Sequence, residues 1–247
     1  MKVLATYSIK GGVGKTTSAV NLAYEAARSG ARVLVWDLDA QGAATFFLRV
    51  KPVVKGGAAG LVRRRGVLEP HIRGTDVPSV HVVPADFSLR NLDVLLDDTK
   101  HPTERLAALL EPVADLYDVA IIDCPPGITR TSEAVFAGAD ALLVPTIPTT
   151  LSVRTLTQLA DFLRDVADPP AVYPFVSMYD QRKSLQRNAV TELAAAWPAM
   201  LTTVIPSASV VERMGTERAP VGAFAPRTRA ARAFAALWDE IAVRLWS

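Results

Sequence analysis

The residue types of a phosphate-binding loop occur together near the start of the chain, in the octapeptide Lys10-Gly11-Gly12-Val13-Gly14-Lys15-Thr16-Thr17. Its glycines allow backbone conformations that bring the main chain close to a polyphosphate. The N–H groups of the loop, and of a helix starting after it, would then point at the anion. Lys15 would place a positive charge at the β- and γ-phosphates, and the Thr16 hydroxyl is a ligand that Mg²⁺ accepts. The segment therefore predicts a polyphosphate site that includes Mg²⁺.

Three aspartates follow apolar segments that have the pattern of buried strands. Asp123 comes directly after residues 119–122, where a carboxylate can hold Mg²⁺ directly or through a water; the alternative is that it only caps the next turn. Asp37 and Asp39 end an earlier segment, and their i, i+2 spacing places them on one face if the strand continues. Beside a nucleotide, this pair could orient a water or complete the outer shell of Mg²⁺.

The elements that must position these residues alternate along the chain. Apolar strands are predicted at residues 3–7, 32–36, 80–84, 119–122, 141–144, 172–176 and 202–205. Helices are predicted at residues 18–28, 103–116, 152–166 and 228–246. Such Val/Ile/Leu strands separated by helices predict an α/β fold with a doubly wound, mostly parallel sheet and helices on both faces. Ligands bind such sheets at the carboxyl ends of the strands, where the loop and the three aspartates fall.

Composition and charge fit one domain that spans residues 1–247. Hydrophobic residues make up 50% of the chain, which is sufficient for a sheet covered on both faces. The net charge is only +2, so an anionic partner has to be met by a local patch. Cys124 is the single cysteine, which excludes an intramolecular disulfide and fits a reducing compartment. Since no secretory leader and no membrane-spanning run is apparent, we expect a cytoplasmic protein.

Residues 50–79 are the least regular part of the chain. They contain the basic run Arg63-Arg64-Arg65. A solvated surface is one interpretation of this run, and a site for an anion or a partner is the other. The sequence leaves both interpretations open.

Lys10 stands directly before two glycines, and the resulting string KGGVGKTT resembles the deviant Walker A box of the ParA/MinD ATPase family. Residues 37–42 (DLDAQG) and 123–127 (DCPPG) resemble the segment after the second strand and the switch segment of that family. Residues 178–182 and 203–206 resemble its nucleotide-base region, and residues 225–231 resemble its late DPRSxGA segment. The chain is thus similar to the ParA/Soj partitioning ATPases, in the short form without an N-terminal sequence-specific DNA-binding domain.

The resemblance implies a weak, Mg²⁺-dependent ATPase that holds ATP between the two subunits of a homodimer. It assigns catalytic roles to Lys10, Lys15 and Asp39. Lys10 would reach the partner's nucleotide, and Asp39 would position the attacking water. The dimer would bind double-stranded DNA without sequence preference at the nucleoid. A ParB-like or cargo-adaptor protein would stimulate hydrolysis.

The resemblance also implies the remaining ligands of the nucleotide. Thr16 and Asp123 would hold Mg²⁺, with Asp123 acting directly or through a water, and Asp37 is a candidate for the outer shell. Met178 and Pro206 would complete the nucleotide site near the base. All of these assignments concern the carboxyl edge of the predicted sheet.

The predicted DNA-binding surface departs from the family pattern. Family members that move chromosomes usually carry arginines just after the last strand, where this chain has Ser207 and Val210. Ala225 stands where the late segment usually has an aspartate, and residues 148–154 replace a stretch that usually carries glutamates and tyrosines. Several cations on one surface suffice for non-specific binding, because phosphate contacts carry the affinity. The candidates are Arg182, Lys183, Arg187, Arg213, Arg218, Arg227 and Arg229.

Two other functions share the same nucleotide chemistry. A MinD-like membrane-associated ATPase for spatial regulation would need a terminal amphipathic helix that lies in a lipid interface. The terminal segment is apolar, but Leu237, Trp238, Ile241 and Leu245 have the spacing of a helix packed on a core, so membrane binding is not expected. A reductase of the nitrogenase iron-protein type would need more than one cysteine per subunit.

Overall fold

The computed structural model describes residues 1–62 and 67–246, and a mixed sheet runs through the centre of this part of the chain. Its strands are β1 (Lys2–Thr6), β2 (Val33–Asp37), β3 (Arg73–Gly74), β4 (Val80–Val83), β5 (Val119–Asp123), β6 (Ala141–Thr146), β7 (Ala171–Tyr179) and β8 (Val204–Pro206). They lie in the order β3-β4-β2-β5-β1-β6-β7-β8, and every pair is parallel except β3 with β4. The predicted doubly wound, mostly parallel sheet is confirmed.

Helices cover both faces of this sheet. They are α1 (Lys15–Arg28), α2 (Ala43–Phe47), α3 (Gly57–Val62), α4 (Leu92–Asp97), α5 (Arg105–Leu110), α6 (Arg130–Phe136), α7 (Thr150–Leu163), α8 (Ser184–Ala196), α9 (Ser209–Glu212), α10 (Met214–Glu217), α11 (Val221–Phe224) and α12 (Arg229–Trp246). Short 3₁₀ turns span Glu69–His71, Phe87–Asn91 and Glu111–Leu116. The basic run Arg63-Arg64-Arg65 lies outside the described residues, so neither interpretation of it is tested.

The central strands are buried on both sides, which explains their uninterrupted apolar sequences. Leu4 and Val35 pack with α1 and α12 on one face, whereas Leu34 and Ile122 pack with α5 and α7 on the other. The carboxyl ends of β1, β2 and β5 meet at the middle of one edge, because these strands are neighbours in register. The two layers therefore hold this edge in place from both faces.

The last helix packs on the core. Phe234, Leu237, Trp238 and Ile241 are buried, and the Trp238 indole donates to Ser29 Oγ at the end of α1 (3.0 Å). The core-packing interpretation of this helix is confirmed. Among the helices of the described residues, none is long and apolar enough to cross a membrane.

One predicted helix is interrupted. Residues 103–116 were expected to form a continuous helix, but α5 ends at Leu110 and a 3₁₀ turn follows through Glu111–Leu116. Pro112 explains the break, because proline has no N–H to donate and its ring clashes with the preceding turn of an α-helix.

Candidate nucleotide site and basic surface

The glycine loop joins the end of β1 to the start of α1 in the conformation that the sequence predicts for a phosphate cradle. Gly12 and Gly14 have φ values of 72° and 97°, in the left-handed region that favours glycine. A Cβ added to Gly11 or Gly12 would meet no atom within 4 Å, so the outer side of the loop is open. Gly14 caps α1 without a side-chain hydrogen bond, which leaves the first N–H groups of the helix for an anion.

Lys15 begins α1 and is only 7% exposed. Burial lowers the pKa of its ammonium, while the nearby Asp123, Cys124 and Asp39 act in the opposite direction. Because burial disfavours the charged form of Lys15, a bound polyphosphate would supply the anion that stabilises its ammonium, which suits this lysine to bind phosphate.

Asp37 and Asp123 lie side by side at the ends of β2 and β5, and Thr6 of β1 stands opposite Asp123 on its other side. Both carboxyl groups are buried completely. Burial, reinforced by the neighbouring Asp37 charge, raises the pKa of Asp123, and a hydrogen bond from Thr16 opposes this shift. Thr6 Oγ1 donates to Asp123 Oδ1 (3.3 Å), whereas Asp123 Oδ2 has no hydrogen-bond partner among the described residues.

The donor set fits Mg²⁺ that is bound together with phosphate. Asp123 Oδ2 and the Thr16 hydroxyl are the hard oxygen ligands that this ion prefers, and Mg²⁺ usually keeps only one or two protein ligands. Within residues 1–62 and 67–246, no group of three or more His, Cys, Asp or Glu side chains could hold a metal by itself. The remaining ligands would thus have to be phosphate oxygens and waters.

The structure gives Asp37 other partners than a metal. Its Oδ2 accepts hydrogen bonds from the backbone N–H and the hydroxyl of Thr45 (2.8 and 2.7 Å), and its Oδ1 accepts one from Asp39 N–H (3.3 Å). Asp37 therefore anchors the start of α2, a role that the sequence did not reveal. Its assignment to the magnesium outer shell stays a prediction.

Asp39 lies in the turn between β2 and α2. Its carbonyl oxygen accepts from Gly42 N–H (2.8 Å), and its Oδ1 accepts from Gln41 N–H (3.0 Å). Gly42 adopts φ 64°, which this tight turn requires. The turn holds the Asp39 carboxylate close enough to influence the pKa of both Lys15 and Asp123.

The other predicted contacts of the nucleotide lie around the same loop. A Cβ on Gly14 would come within 3.8 Å of the Met178 side chain and 3.0 Å of Ser177 Oγ, so Met178 is beside the loop. Pro206 ends β8 and pairs with Tyr179, one residue after Met178. Val13 is buried under the loop and Lys10 is exposed on its outer side. Sequence reasoning missed Ser177, which no motif marks.

The nucleotide site can now be compared with known proteins. A family model described as an AAA domain matches residues 1–171. The sporulation initiation inhibitor protein Soj of Bacillus subtilis is 30% identical to this chain over 98% of the chain and 98% of its own length. The chromosome partitioning protein ParA of Caulobacter vibrioides is 32% identical over 79% of the chain and 76% of its own length. The chain belongs to the ParA/Soj family.

The fold of this ParA/Soj-family chain also occurs in solved structures. An ATP complex of McdA from Cyanothece matches it with a TM-score of 0.83 at 22% identity, over 98% of this chain and 96% of the other. At that identity the match shows the fold alone. The family assignment confirms the predicted resemblance and makes the chain a P-loop ATPase relative of partitioning proteins.

In this ParA/Soj-family chain, the segment after Asp123 is held by contacts that the sequence did not suggest. The Tyr7 hydroxyl donates to the carbonyl oxygen of Gly127 (3.0 Å), and Gly127 has φ 96°. Thr129 caps α6 through reciprocal hydrogen bonds with Ser132. The segment thus runs from the metal candidate Asp123 into a well-capped helix.

The basic residues near the nucleotide site fall into two groups. Four of them surround Gln181, in the turn between β7 and α8: we call Arg182, Lys183, Arg187 and Arg229 the Gln181 patch. Arg187 donates to the Gln181 carbonyl oxygen (2.8 Å), and Arg229 reaches its side-chain oxygen (3.4 Å). Arg182 pairs with Asp180 through Nε and Nη2, both at 2.9 Å. Arg182 is exposed whereas the Asp180 side chain is largely shielded, so a phosphate would have to compete with Asp180 for this guanidinium.

The other group makes contacts elsewhere. Arg213 pairs with Glu217 (2.6 Å) and lies over the Phe224 ring. Arg218 donates to the carbonyl oxygen of Phe46 (3.1 Å) and lies 4.5 Å from the centre of that ring. The structure therefore does not gather Arg213 and Arg218 with the Gln181 patch. Arg227 is exposed two residues before Arg229.

Proposed function

We propose that this chain is a Mg²⁺-dependent ATPase, formed by a single domain of residues 1–247, that dimerises on ATP, binds DNA without sequence preference and positions or segregates a cargo. The observation that carries the proposal is the buried, unpartnered Oδ2 of Asp123 beside Lys15 at the open glycine loop. A buried carboxylate oxygen without a donor is unfavourable in the protein alone. Mg²⁺ between that oxygen and bound phosphate would satisfy it.

Each residue of the site has one task in the proposed cycle. The N–H groups of residues 11–14 and of the α1 N-terminus bind phosphate oxygens, and Lys15 neutralises their charge. Thr16 and Asp123 would hold Mg²⁺, which would supply charge stabilisation for the transferred phosphoryl group. Asp39 orients a water toward the γ-phosphate. Met178 and Pro206 border the nucleotide on the far side of the loop.

Lys10 is the proposed sensor of the partner subunit. Its backbone N–H is held by Ser8 Oγ (3.3 Å), while the residue itself is exposed beyond the cradle. A charge in that position is suited to reach a phosphate bound by a second copy. Loss of the γ-phosphate would remove contacts to Lys10 and to the segment after Asp123, which would release the dimer.

The Gln181 patch, with Arg227 beside it, is the proposed DNA surface. Its cations lie in one turn and at the starts of α8 and α12, so several can meet phosphates of one duplex, and no side chain has to read a base. A slow ATPase of this kind would serve as a timer. A ParB-like or cargo-adaptor protein that accelerates hydrolysis would then set where the dimer leaves the nucleoid.

The test compares two binding partners with the same protein. ATP-bound and ADP-bound protein are titrated with unrelated DNA duplexes and, separately, with liposomes that contain anionic lipid. We expect duplex binding in ATP only, with similar affinity for every sequence, and a steep loss with salt. Recruitment to liposomes in ATP without duplex binding would instead support the membrane-associated alternative and would contradict the DNA proposal.

A further inference from the structure

Residues 213–221 connect two parts of the nucleotide site that lie far apart in sequence. Asn21 of α1 holds this segment: its side-chain amide donates to Met214 Sδ (3.2 Å) and its Oδ1 accepts from Val221 N–H (2.8 Å). The same amide donates to the carbonyl oxygen of Thr17, one turn earlier in α1 (2.8 Å). The segment is therefore fixed to the helix that carries Lys15.

The middle of the segment is joined to α2 by two arginines, Arg49 and Arg218, which we call the arginine clasp. Arg49, just after α2, donates from Nε to the Arg218 carbonyl oxygen (3.0 Å) and from Nη2 to the Glu217 carbonyl oxygen (2.8 Å). Arg218 in turn donates to the Phe46 carbonyl oxygen (3.1 Å) and covers the Phe46 ring. Arg49 also pairs with Asp76 (3.3 Å). The clasp thus joins α2 to the end of α10 through both side chains.

Hydrogen bonds continue from the clasp to the catalytic candidate Asp39. The Phe46 carbonyl oxygen accepts from Arg218, Phe46 N–H donates to Gly42 (2.9 Å), and Gly42 N–H donates to Asp39 (2.8 Å). Thr45, next to Phe46, anchors Asp37 through two further bonds. A displacement at Arg218 would therefore be transmitted along α2 to the turn that holds Asp39.

Both clasp residues adopt backbone conformations that a residue with a Cβ disfavours. Arg49 has φ 58° and Arg218 has φ 47°, so each lies in the left-handed region. Such conformations persist where surrounding contacts fix them. Here each arginine lies at the end of a short helix. The Arg49 side chain holds the Arg218 carbonyl oxygen, and the Arg218 side chain holds the Phe46 carbonyl oxygen, to which Arg49 N–H also donates, so the two strained turns depend on the same set of contacts.

We propose that Arg218 and Arg49 are positioning residues, which hold the Asp39 turn at a fixed place relative to the phosphate loop by joining α2 to the segment anchored on Asn21. This inference rests on the proposed ATPase function. It moves Arg218 out of the predicted DNA-binding set, because its guanidinium is engaged by Phe46. In this role Arg218 and Arg49 act through the Asp39 turn and not by contact with the nucleotide or the metal.

The first experiment needs no nucleotide. Hydrogen exchange is measured for residues 42–49 in the wild-type protein, in Arg218→Ala and in Arg49→Ala. Each variant should exchange about tenfold faster there, the factor expected when a hydrogen bond from a charged donor is lost. Arg244→Ala is the matched control, because Arg244 also lies over an aromatic ring, Tyr173, but far along β7 from the site. Exchange within twofold of wild type in both clasp variants would overturn the proposal.

The second experiment separates positioning from DNA contact. Without DNA, Arg218→Ala should lower kcat about tenfold and leave KM for ATP within about twofold, since one charged hydrogen bond is lost but the phosphate cradle is intact. Arg218→Lys should recover part of kcat, because lysine can still donate to Phe46 but cannot cover its ring as a planar group. A DNA ligand would instead show unchanged kcat and a salt dependence of DNA binding lowered by about 0.9, and that result would contradict the proposal.

The two proposals fail in different ways. A wild-type protein that neither hydrolyses ATP nor dimerises with it would refute the proposed function, while the exchange experiment would still test the clasp. A fully active wild type with unchanged kcat in folded Arg218→Ala would refute the clasp alone. If Arg218→Ala does not fold, Arg49→Ala and Arg218→Lys give the same tests, because each weakens the clasp without removing both partners.

Discussion

The phosphate loop and the Gln181 patch lie at the same edge of the sheet but are constructed differently. The loop depends on main-chain geometry, with glycines at positive φ and aspartates set by strand register. The patch depends on long exposed side chains, several of which are held by Gln181 or Asp180. Main-chain sites tolerate few substitutions, whereas a charged surface loses affinity gradually. The predictions below test this contrast.

The largest effect should follow from Lys15→Ala. Loss of the charge-assisted phosphate contact should weaken ATP binding about a hundredfold or more. Thr16→Ala should weaken only the part of binding that depends on Mg²⁺. Calorimetry with and without Mg²⁺ measures both, and Lys51→Ala, an exposed lysine, is the control. Unchanged affinity in Lys15→Ala would disprove the assignment of the loop.

Hydrolysis should be affected strongly without loss of binding in Asp39→Ala. Removal of the group that orients the water should slow turnover about a hundredfold, the usual scale for a positioned acid–base group. The trapped protein should sediment as a dimer in ATP. Lys10→Ala should bind ATP yet stay monomeric, because the charge of Lys10 is proposed to act across the dimer interface. Normal dimerisation of Lys10→Ala would show that Lys10 does not act across the interface.

A graded effect is expected for the Gln181 patch. Arg182→Ala combined with Lys183→Ala should weaken binding of every duplex and lower the slope of log affinity against log salt by about 0.9 for each lost contact. ATPase activity without DNA should persist. Lys2→Ala with Arg244→Ala removes the same charge at sites paired with Asp140 and Tyr173, away from the patch, and should leave the slope unchanged. Equal losses in both double variants would mean that only net charge matters.

The smallest effect concerns pH. Burial raises the pKa of Asp123 to about 8 and that of Asp37 to about 6, from 3.8. Between the ordinary pKa of 3.8 and the raised value of about 8, the folded protein binds more protons than the unfolded chain. The free energy of unfolding without nucleotide should therefore fall as pH rises from about 4 to 8. Asp123→Asn should reduce this slope. Urea unfolding at pH 5 and pH 8 measures this pH dependence. An identical slope in Asp123→Asn would contradict its attribution to Asp123.

The fold and the nucleotide edge were largely predictable, because both depend on local patterns. Strands β1, β2 and β4 to β8 lie where apolar runs occur, and their register brings Asp37 next to Asp123. Helix α8 was missed, since only Ala189 and Leu193 of its residues are buried and Leu185 is exposed, which leaves a weak periodic signal. The short edge strand β3 has too few residues to give any signal.

The contacts of charged side chains could not be predicted. Arg218 and Phe46 are far apart in sequence, so their stacking depends on how α2 and α10 pack. Thr45 and Asp37 are only eight residues apart, but their contact depends on how α2 folds back on the end of β2. Residue type identified cations and carboxylates, whereas the tertiary fold decides which of them remain available for a ligand.

The outer strands of the sheet have a consequence for crowding. In the described part of the chain, β3 contributes two residues at one rim and β8 contributes three at the other. Edge strands of this length offer few free backbone groups with which a neighbouring chain could extend the sheet. Open-ended, fibre-like extension of the sheet is therefore disfavoured even where many copies of the chain are crowded together.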